Sequence, residues 1–116
     1  MLNRCAVILK AKQPFLDWLR NLPDPMSPDT TLERVNEDSH VYLFSEYALE
    51  AELEELLKEY AEHMFERELN AWWTDKSAWP QDRTLAQLKE WFDVSSHSMI
   101  EDLSWDALQN DDDEMP

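Results

Sequence analysis

The longest regular pattern of apolar positions lies between Ser45 and about Trp73, in the segment SEYALEAELEELLKEYAEHMFERELNAWW. Apolar residues recur there at steps of three and four, the period of a helix with one buried face. These residues are Leu49, Leu53, Leu56, Leu57, Tyr60, Ala61, Met64 and Leu69. Serine is a favoured N-cap, and Glu46 would lie in the first turn, where the helix dipole stabilises an acid. The pattern predicts one long amphipathic helix capped by Ser45.

The opposite side of this helix carries five glutamates at steps of three and four, which we call the acidic row. Its members are Glu52, Glu55, Glu59, Glu62 and Glu66. At a rise of about 1.5 Å per residue the row is about 20 Å long. Like charges four residues apart destabilise a helix slightly, so the row is either a solvated face or a recognition surface. As a recognition surface it would attract a basic protein, or imitate DNA phosphates and occupy the groove of a nucleic-acid-binding protein.

Shorter patterns predict a small sheet around this helix. Residues 3–11, NRCAVILKA, are apolar at most positions of both faces, which is typical of a central strand. HVYLF at 40–44 predicts a second strand, and the weak alternation over 93–103 predicts a third, at an edge.

Three further helices are indicated by their caps and prolines. One begins at Gln13-Pro14 and ends before Pro23, because proline is tolerated in a first turn but not in a helix interior. A single turn, TLERVNE, follows the cap residues at 29–31, and LAQLKEWF follows Thr84. The sequence therefore predicts an α+β fold, a small three-stranded sheet packed by helices, in the order β-α-(α)-β-α-α-β.

Residues 1–108 are expected to form this single domain, and residues 109–116 an acidic, disordered tail. The tail has no apolar residue besides Met115, so burial cannot offset the entropy of ordering it. Trp105 and Leu108, just before the tail, are candidates to dock back on the domain.

Composition narrows the class of function. The chain has 26 acidic and 10 basic residues, a formal net charge of −16, so it would be repelled by nucleic acid and by anionic membranes and attracted to basic partners. It has no glycine, which excludes nucleotide-binding glycine loops and the nucleophile elbow of α/β-hydrolases. The single cysteine, Cys5, and the lack of a long apolar run predict a cytoplasmic protein without membrane segments.

Candidate catalytic groups are few. Cys5 with His97, or a serine at 96 or 98 with His97 and Asp93, could in principle supply a nucleophile and a base. A polar site where His97, Asp93 and Arg83 converge would indicate an enzyme. The three histidines and one cysteine have no zinc-site spacing, so neither a metal nor a cofactor is predicted. A non-enzymatic, protein-binding role is the favoured hypothesis.

A second candidate binding surface is the aromatic segment, defined here as Trp72, Trp73, Trp79 and Arg83. Tryptophan and arginine dominate the energetics of protein interfaces. Trp72 and Trp73 lie about 100° apart on a helix, so one of them is expected to pack inward. The alternative is that these residues only attach a glycine-free connection to the core.

A resemblance is carried by three segments, NRCAVILKAKQPFLDWL, VYLF and ELNAWWTDKSAWPQDRTLAQLKEWFDVSSHSM. Together they resemble a family of small acidic bacterial proteins of unknown function, with WPQDRTL and EWFDV the most distinctive part. The resemblance covers nearly the whole chain. It implies a bacterial, cytoplasmic protein of one domain and assigns no activity, cofactor or binding residue.

Overall fold

The computed structural model describes residues 1–23, 27–46 and 50–110. Its strands are β1 (Arg4–Ala11), β2 (Val41–Ser45) and β3 (Phe92–His97). Its helices are α1 (Gln13–Arg20), α2 (Leu32–Val35), α3 (Glu50–Asn70) and α4 (Leu85–Trp91), with short 3-10 turns at Ser27–Asp29 and Lys76–Ala78. The predicted α+β class and order of elements are confirmed. None of the described helices is both long and apolar enough to cross a membrane.

The sheet has the order β2-β1-β3, and both pairs are antiparallel. β1 is therefore the central strand, as its two apolar faces predict. Its odd-numbered positions, 5 to 11, are buried on the face that carries the core. The opposite face has Arg4 and Lys10 exposed at its two ends. β3 begins at Phe92 and ends at His97, six residues earlier than predicted.

Helix α3 supplies a larger share of the described core than any other element, through six buried residues. They are Leu53, Leu57, Ala61, Met64, Phe65 and Leu69. Phe65, which the predicted apolar stripe omits, is fully buried. Its ring centroid lies 5.3 Å from that of Trp91 and 5.8 Å from that of Phe92, so it joins α3 to the junction of α4 and β3.

The helix boundaries differ from the prediction at both ends of α3. Ser45 pairs with Arg4 as the last residue of β2, so it belongs to the strand. Leu49 lies in the range 47–49, outside the described residues. At the other end α3 stops at Asn70, and the backbone N–H groups of Trp72 and Trp73 both donate to the Leu69 carbonyl, at 3.1 and 2.9 Å.

The predicted cap Thr84 is confirmed, and of the three residues predicted to cap the short helix, 29–31, Thr31 is the cap. The Thr31 hydroxyl accepts a hydrogen bond from the Arg34 backbone N–H at 3.2 Å, and the Thr84 hydroxyl accepts one from the Gln87 N–H at 3.3 Å. Each satisfies one of the backbone donors that the first turn of a helix leaves without an intrahelical partner.

The segment after β3 forms no further strand, although the Leu2 N–H donates to the Ile100 carbonyl at 2.8 Å. Its described part, 98–110, has no helix or strand, and every residue from 101 to 110 is exposed. Trp105 is fully exposed and Leu108 largely so; neither docks on the domain, in contrast to the expectation. The predicted tail is described only through Asn110, and 111–116 lie outside the described residues.

Candidate binding surface

The acidic row lies on the side of α3 that faces away from the core. Glu52, Glu55 and Glu59 are exposed along it. Glu55 is 3.8 Å from Lys58, but both side chains are largely solvated, and such surface pairs contribute about 0–1 kcal/mol. Glu59 makes no ion pair within the described part of the chain. This exposed end of the row, from Glu52 to Glu59, is about 10 Å long.

Arg83 lies beside the other end of the acidic row, where the Glu62 side chain remains 69% exposed. Its guanidinium Nη2 is 3.9 Å from Glu62 Oε1, and its Nε is 3.9 Å from Glu66 Oε2. A third nitrogen, Nη1, donates to the Pro80 carbonyl at 2.8 Å, which holds the side chain in place. The sequence pattern predicts Arg83 as part of the aromatic segment. The structure instead brings it to the acidic row, where it offsets two of the five charges.

The aromatic segment does not form one exposed surface. Trp79 is only 5% exposed, and its indole Nε1 donates to the Trp73 carbonyl at 2.8 Å. Trp73 is half-buried, whereas Trp72 is 38% exposed, which agrees with the expectation that one of the two neighbours packs inward. Trp79 therefore attaches the connection between α3 and α4 to the core, and Trp72 remains the one exposed tryptophan of the three.

A groove of about 640 Å³ lies between β2 and α3, and we call it the β2–α3 groove. Its strand side includes Leu43 and Phe44, and its helix side includes Leu56, Tyr60 and His63. The apolar periodicity predicts that Leu56 and Tyr60 lie in the buried stripe of α3. In the structure Leu56 is half-buried and Tyr60 is 41% exposed, because they lie at the margin of that stripe, beyond the width that the narrow sheet covers.

The β2–α3 groove continues into the acidic row. A neighbouring cavity of about 440 Å³ shares Ser45 and Leu56 with it. The charged residues that line this second cavity are Glu46, Glu52, Glu55 and Glu59. A groove with both apolar and polar lining residues therefore opens, at the Ser45 end, onto four carboxylates. Among the described residues that line the two cavities, Arg4 is the one lysine or arginine.

At Tyr42, which also lines the groove, lies a polar cluster that the sequence patterns do not predict. Glu68 Oε2 accepts hydrogen bonds from the Tyr42 hydroxyl and from His40 Nδ1, each at 2.5 Å. The Glu68 side chain is only 12% exposed. Tyr42 belongs to β2 and Glu68 to α3, so these bonds attach the strand to the helix. No local signal could have revealed the cluster, because His40 and Glu68 are 28 residues apart.

This environment changes the acidity of Tyr42. Burial of the phenol raises its pKa far above the usual value of 10, and the nearby Glu68 carboxylate raises it further. The neutral phenol is therefore the form that the folded state stabilises. The contribution of Tyr42 to the free energy of unfolding is fully present below the tyrosine pKa of the unfolded chain. It is lost as the pH rises above about 10.

We expect Tyr42 to remain un-ionised in the folded protein at pH 11. The test is the tyrosinate absorbance near 295 nm of the wild type and of Tyr42→Phe. In the folded state the two proteins should give the same signal, because Tyr42, which only the wild type has, stays protonated. In urea they should differ by one tyrosinate. A full tyrosinate difference in the folded state, with circular dichroism still native, would show that Tyr42 ionises normally.

The candidate catalytic groups are not brought together. Cys5 lies on the buried face of β1, whereas His97 pairs with Ala6 on the opposite face. The hydroxyl that lies 3.2 Å from His97 Nε2 belongs to Ser95, and not to Ser96 or Ser98, the serines next to His97 in sequence. Asp93 is four residues from His97 along β3, about 13 Å away. Arg83 contacts α3 instead.

Across 1–23, 27–46 and 50–110, no group of three or more His, Cys, Asp or Glu residues is placed to hold a metal ion. No family model, no curated protein and no solved structure matches the chain. The resemblance to a family of small acidic bacterial proteins therefore stays a prediction.

Proposed function

We propose that this chain is a non-enzymatic, cytoplasmic protein-binding module that recognises a basic segment of a partner. One observation supports this most directly. The β2–α3 groove, which is lined by both apolar and polar side chains, opens onto the exposed end of the acidic row, so one continuous surface offers both apolar contact and negative charge. Protein interfaces combine these two properties, with apolar contact for affinity and charge complementarity for the association rate and specificity. The single, buried Cys5 is consistent with a reducing compartment.

The position of Arg83 bears on the DNA-mimic alternative. A surface that imitates a nucleic-acid strand needs an unbroken line of negative charge, and Arg83 offsets the charge of Glu62 and Glu66. The part of the row that Arg83 does not contact, Glu52 to Glu59, is about 10 Å long. That length suits a few lysine or arginine side chains of one segment better than an extended DNA-binding groove.

The test begins with a fully randomised library of linear decapeptides, selected against the full chain. We expect the selected peptides to be rich in Lys or Arg together with apolar residues. Their affinity should fall at least tenfold for Glu55→Lys/Glu59→Lys, because two carboxylates at the mouth of the groove become repulsive.

The matched control is Glu33→Lys/Glu37→Lys, which changes the net charge equally at two exposed positions away from the groove. Its affinity for the peptides should change less than twofold. An equal loss in both variants would mean that only net charge matters, and selected peptides without basic residues would contradict a basic partner. Thermal unfolding should show both variants folded, since each replaces exposed carboxylates.

A further inference from the structure

Strand β2 has an edge that the fold leaves without a neighbouring strand. β2 is the outer strand of the sheet and pairs with β1 on one side. On its other side, no backbone group of the described residues is hydrogen-bonded to it. The outward N–H and C=O groups of such an edge can pair with another extended chain.

This edge also lacks the usual protection against such pairing. Natural edge strands are blunted by charged residues, prolines or bulges. β2 reads VYLFS, with no charge and no proline, and its residues 41–45 pair one-to-one with positions 8–4 of β1, without a bulge. Two of its apolar side chains, Val41 and Leu43, are 57% and 47% exposed. The other edge strand, β3, in contrast carries Asp93 and His97.

The β2–α3 groove runs along the same edge. Its volume of about 640 Å³ lies within the range of ligand-binding clefts, about 300–1,000 Å³. On the α3 side, Leu56, Tyr60 and His63 recur at steps of four and three, so they form a stripe parallel to β2. The Phe44 and Tyr60 rings, 5.4 Å apart, form the floor between strand and helix. A strand added to β2 would place every second side chain against this stripe.

We propose that an extended segment of a partner protein binds as a fourth strand on the outer edge of β2, inside the β2–α3 groove. The inference rests on the proposed function and specifies how the partner is recognised. Main-chain hydrogen bonds to β2 supply affinity, and alternate side chains supply specificity. Because β2 has five residues, the paired part of the partner is about five residues long, or about 17 Å.

The chemistry of the groove defines the partner segment. On the α3 side its side chains meet Leu56 and Tyr60, and on the opposite face they meet Val41 and Leu43, so apolar residues fit both sets. At the Ser45 end the segment reaches the four carboxylates of the neighbouring cavity, where Lys or Arg fits. Proline is excluded wherever the segment must donate a backbone hydrogen bond.

Charge disfavours occupancy by this chain itself. Residues 101–110 hold three acids and no base, so the carboxylates at the mouth of the groove repel the segment. Two copies joined through their β2 edges would bring two acidic rows together, which costs free energy at low salt. A basic segment of another protein meets neither repulsion.

A backbone N-methyl scan of a selected decapeptide tests strand addition. A strand uses the N–H groups of alternate residues, so methylation should weaken binding at least tenfold at every second position and less than threefold between them. Amide hydrogen exchange of the full chain should show new protection in Val41–Ser45 when the peptide binds. Tyr60→Ala should weaken binding at least tenfold, and Trp72→Ala, an exposed aromatic outside the groove, less than twofold.

The possible failures are distinguishable. Strand addition would be overturned if N-methylation had no effect that alternates along the peptide and if β2 gained no protection. The proposed function would still stand if the selected peptides were basic and bound Glu55→Lys/Glu59→Lys more weakly. Peptides that are insensitive to those substitutions would overturn the proposed function itself. Light scattering would show whether the peptide-free protein is a dimer, and amide hydrogen exchange whether its β2 amides are protected. If both were true, a second copy of the chain would occupy the edge.

Discussion

Replacing Phe65 by alanine should lower the free energy of unfolding by about 3–5 kcal/mol, the usual cost of deleting a fully buried ring. Phe65 is fully buried, and its ring meets both Trp91 and Phe92. These contacts join three elements, α3, α4 and β3, so the cavity cannot collapse by a local shift of one helix. Because domains of this kind are stable by about 5–15 kcal/mol, the variant would lose a large part of its total stability.

Urea unfolding followed by circular dichroism measures this loss. Phe65→Leu is the matched control, since it keeps most of the volume and should cost less than about 1.5 kcal/mol. Trp72→Ala removes a larger ring at an exposed position and should cost less than Phe65→Ala. If Phe65→Ala and Trp72→Ala cost the same, the core would not be centred on Phe65.

Replacing Glu68 by alanine should lower the free energy of unfolding by about 2–3 kcal/mol. The substitution removes the acceptor of two hydrogen bonds, from Tyr42 and His40, and bonds to a charged group contribute about 1.5–3 kcal/mol. The Tyr42 hydroxyl would keep only the Met64 carbonyl, at 3.5 Å, as a partner in a largely buried position. Most of the loss in the free energy of unfolding would come from the buried Tyr42 hydroxyl, which no longer has its carboxylate acceptor.

Glu59→Ala is the control for this experiment, because it makes the same change on the same helix at an exposed carboxylate without an ion pair within the described residues. Its effect should stay within about 0.5 kcal/mol. A double-mutant cycle with Tyr42→Phe should give a coupling of at least about 1 kcal/mol. A coupling near zero would show that Glu68 does not hold β2 through Tyr42.

The cluster around Glu68 also bears on the β2–α3 groove. It attaches β2 to α3 near the strand's beginning, while the Ser45 end of β2 lies beside the acidic cavity. The Tyr42–Glu68 hydrogen bond therefore attaches β2 to α3 at the end of the strand that lies away from the acidic cavity.

Local patterns alone predicted most of the fold. The two apolar faces of β1 indicated a central strand, the step of three and four residues indicated α3, and Thr31 and Thr84 indicated helix starts. Each of these features depends on residues within one or two turns or strand periods, where backbone geometry places the side chains. The errors lie at boundaries. Ser45 has the chemistry of a helix cap, but pairing with Arg4 keeps it in β2.

The candidate site depended on tertiary packing. The sequence identified the acidic row as a feature of α3, but Arg83 lies beside one end of it only because the connection after α3 folds back across the helix. The β2–α3 groove exists because a narrow sheet leaves the margin of a wide apolar stripe uncovered. Glu68 likewise meets Tyr42, 26 residues away in sequence, only because α3 packs against β2. Periodicity specifies which side of one element a residue occupies, whereas the separation and alignment of two elements depend on how their side chains pack together.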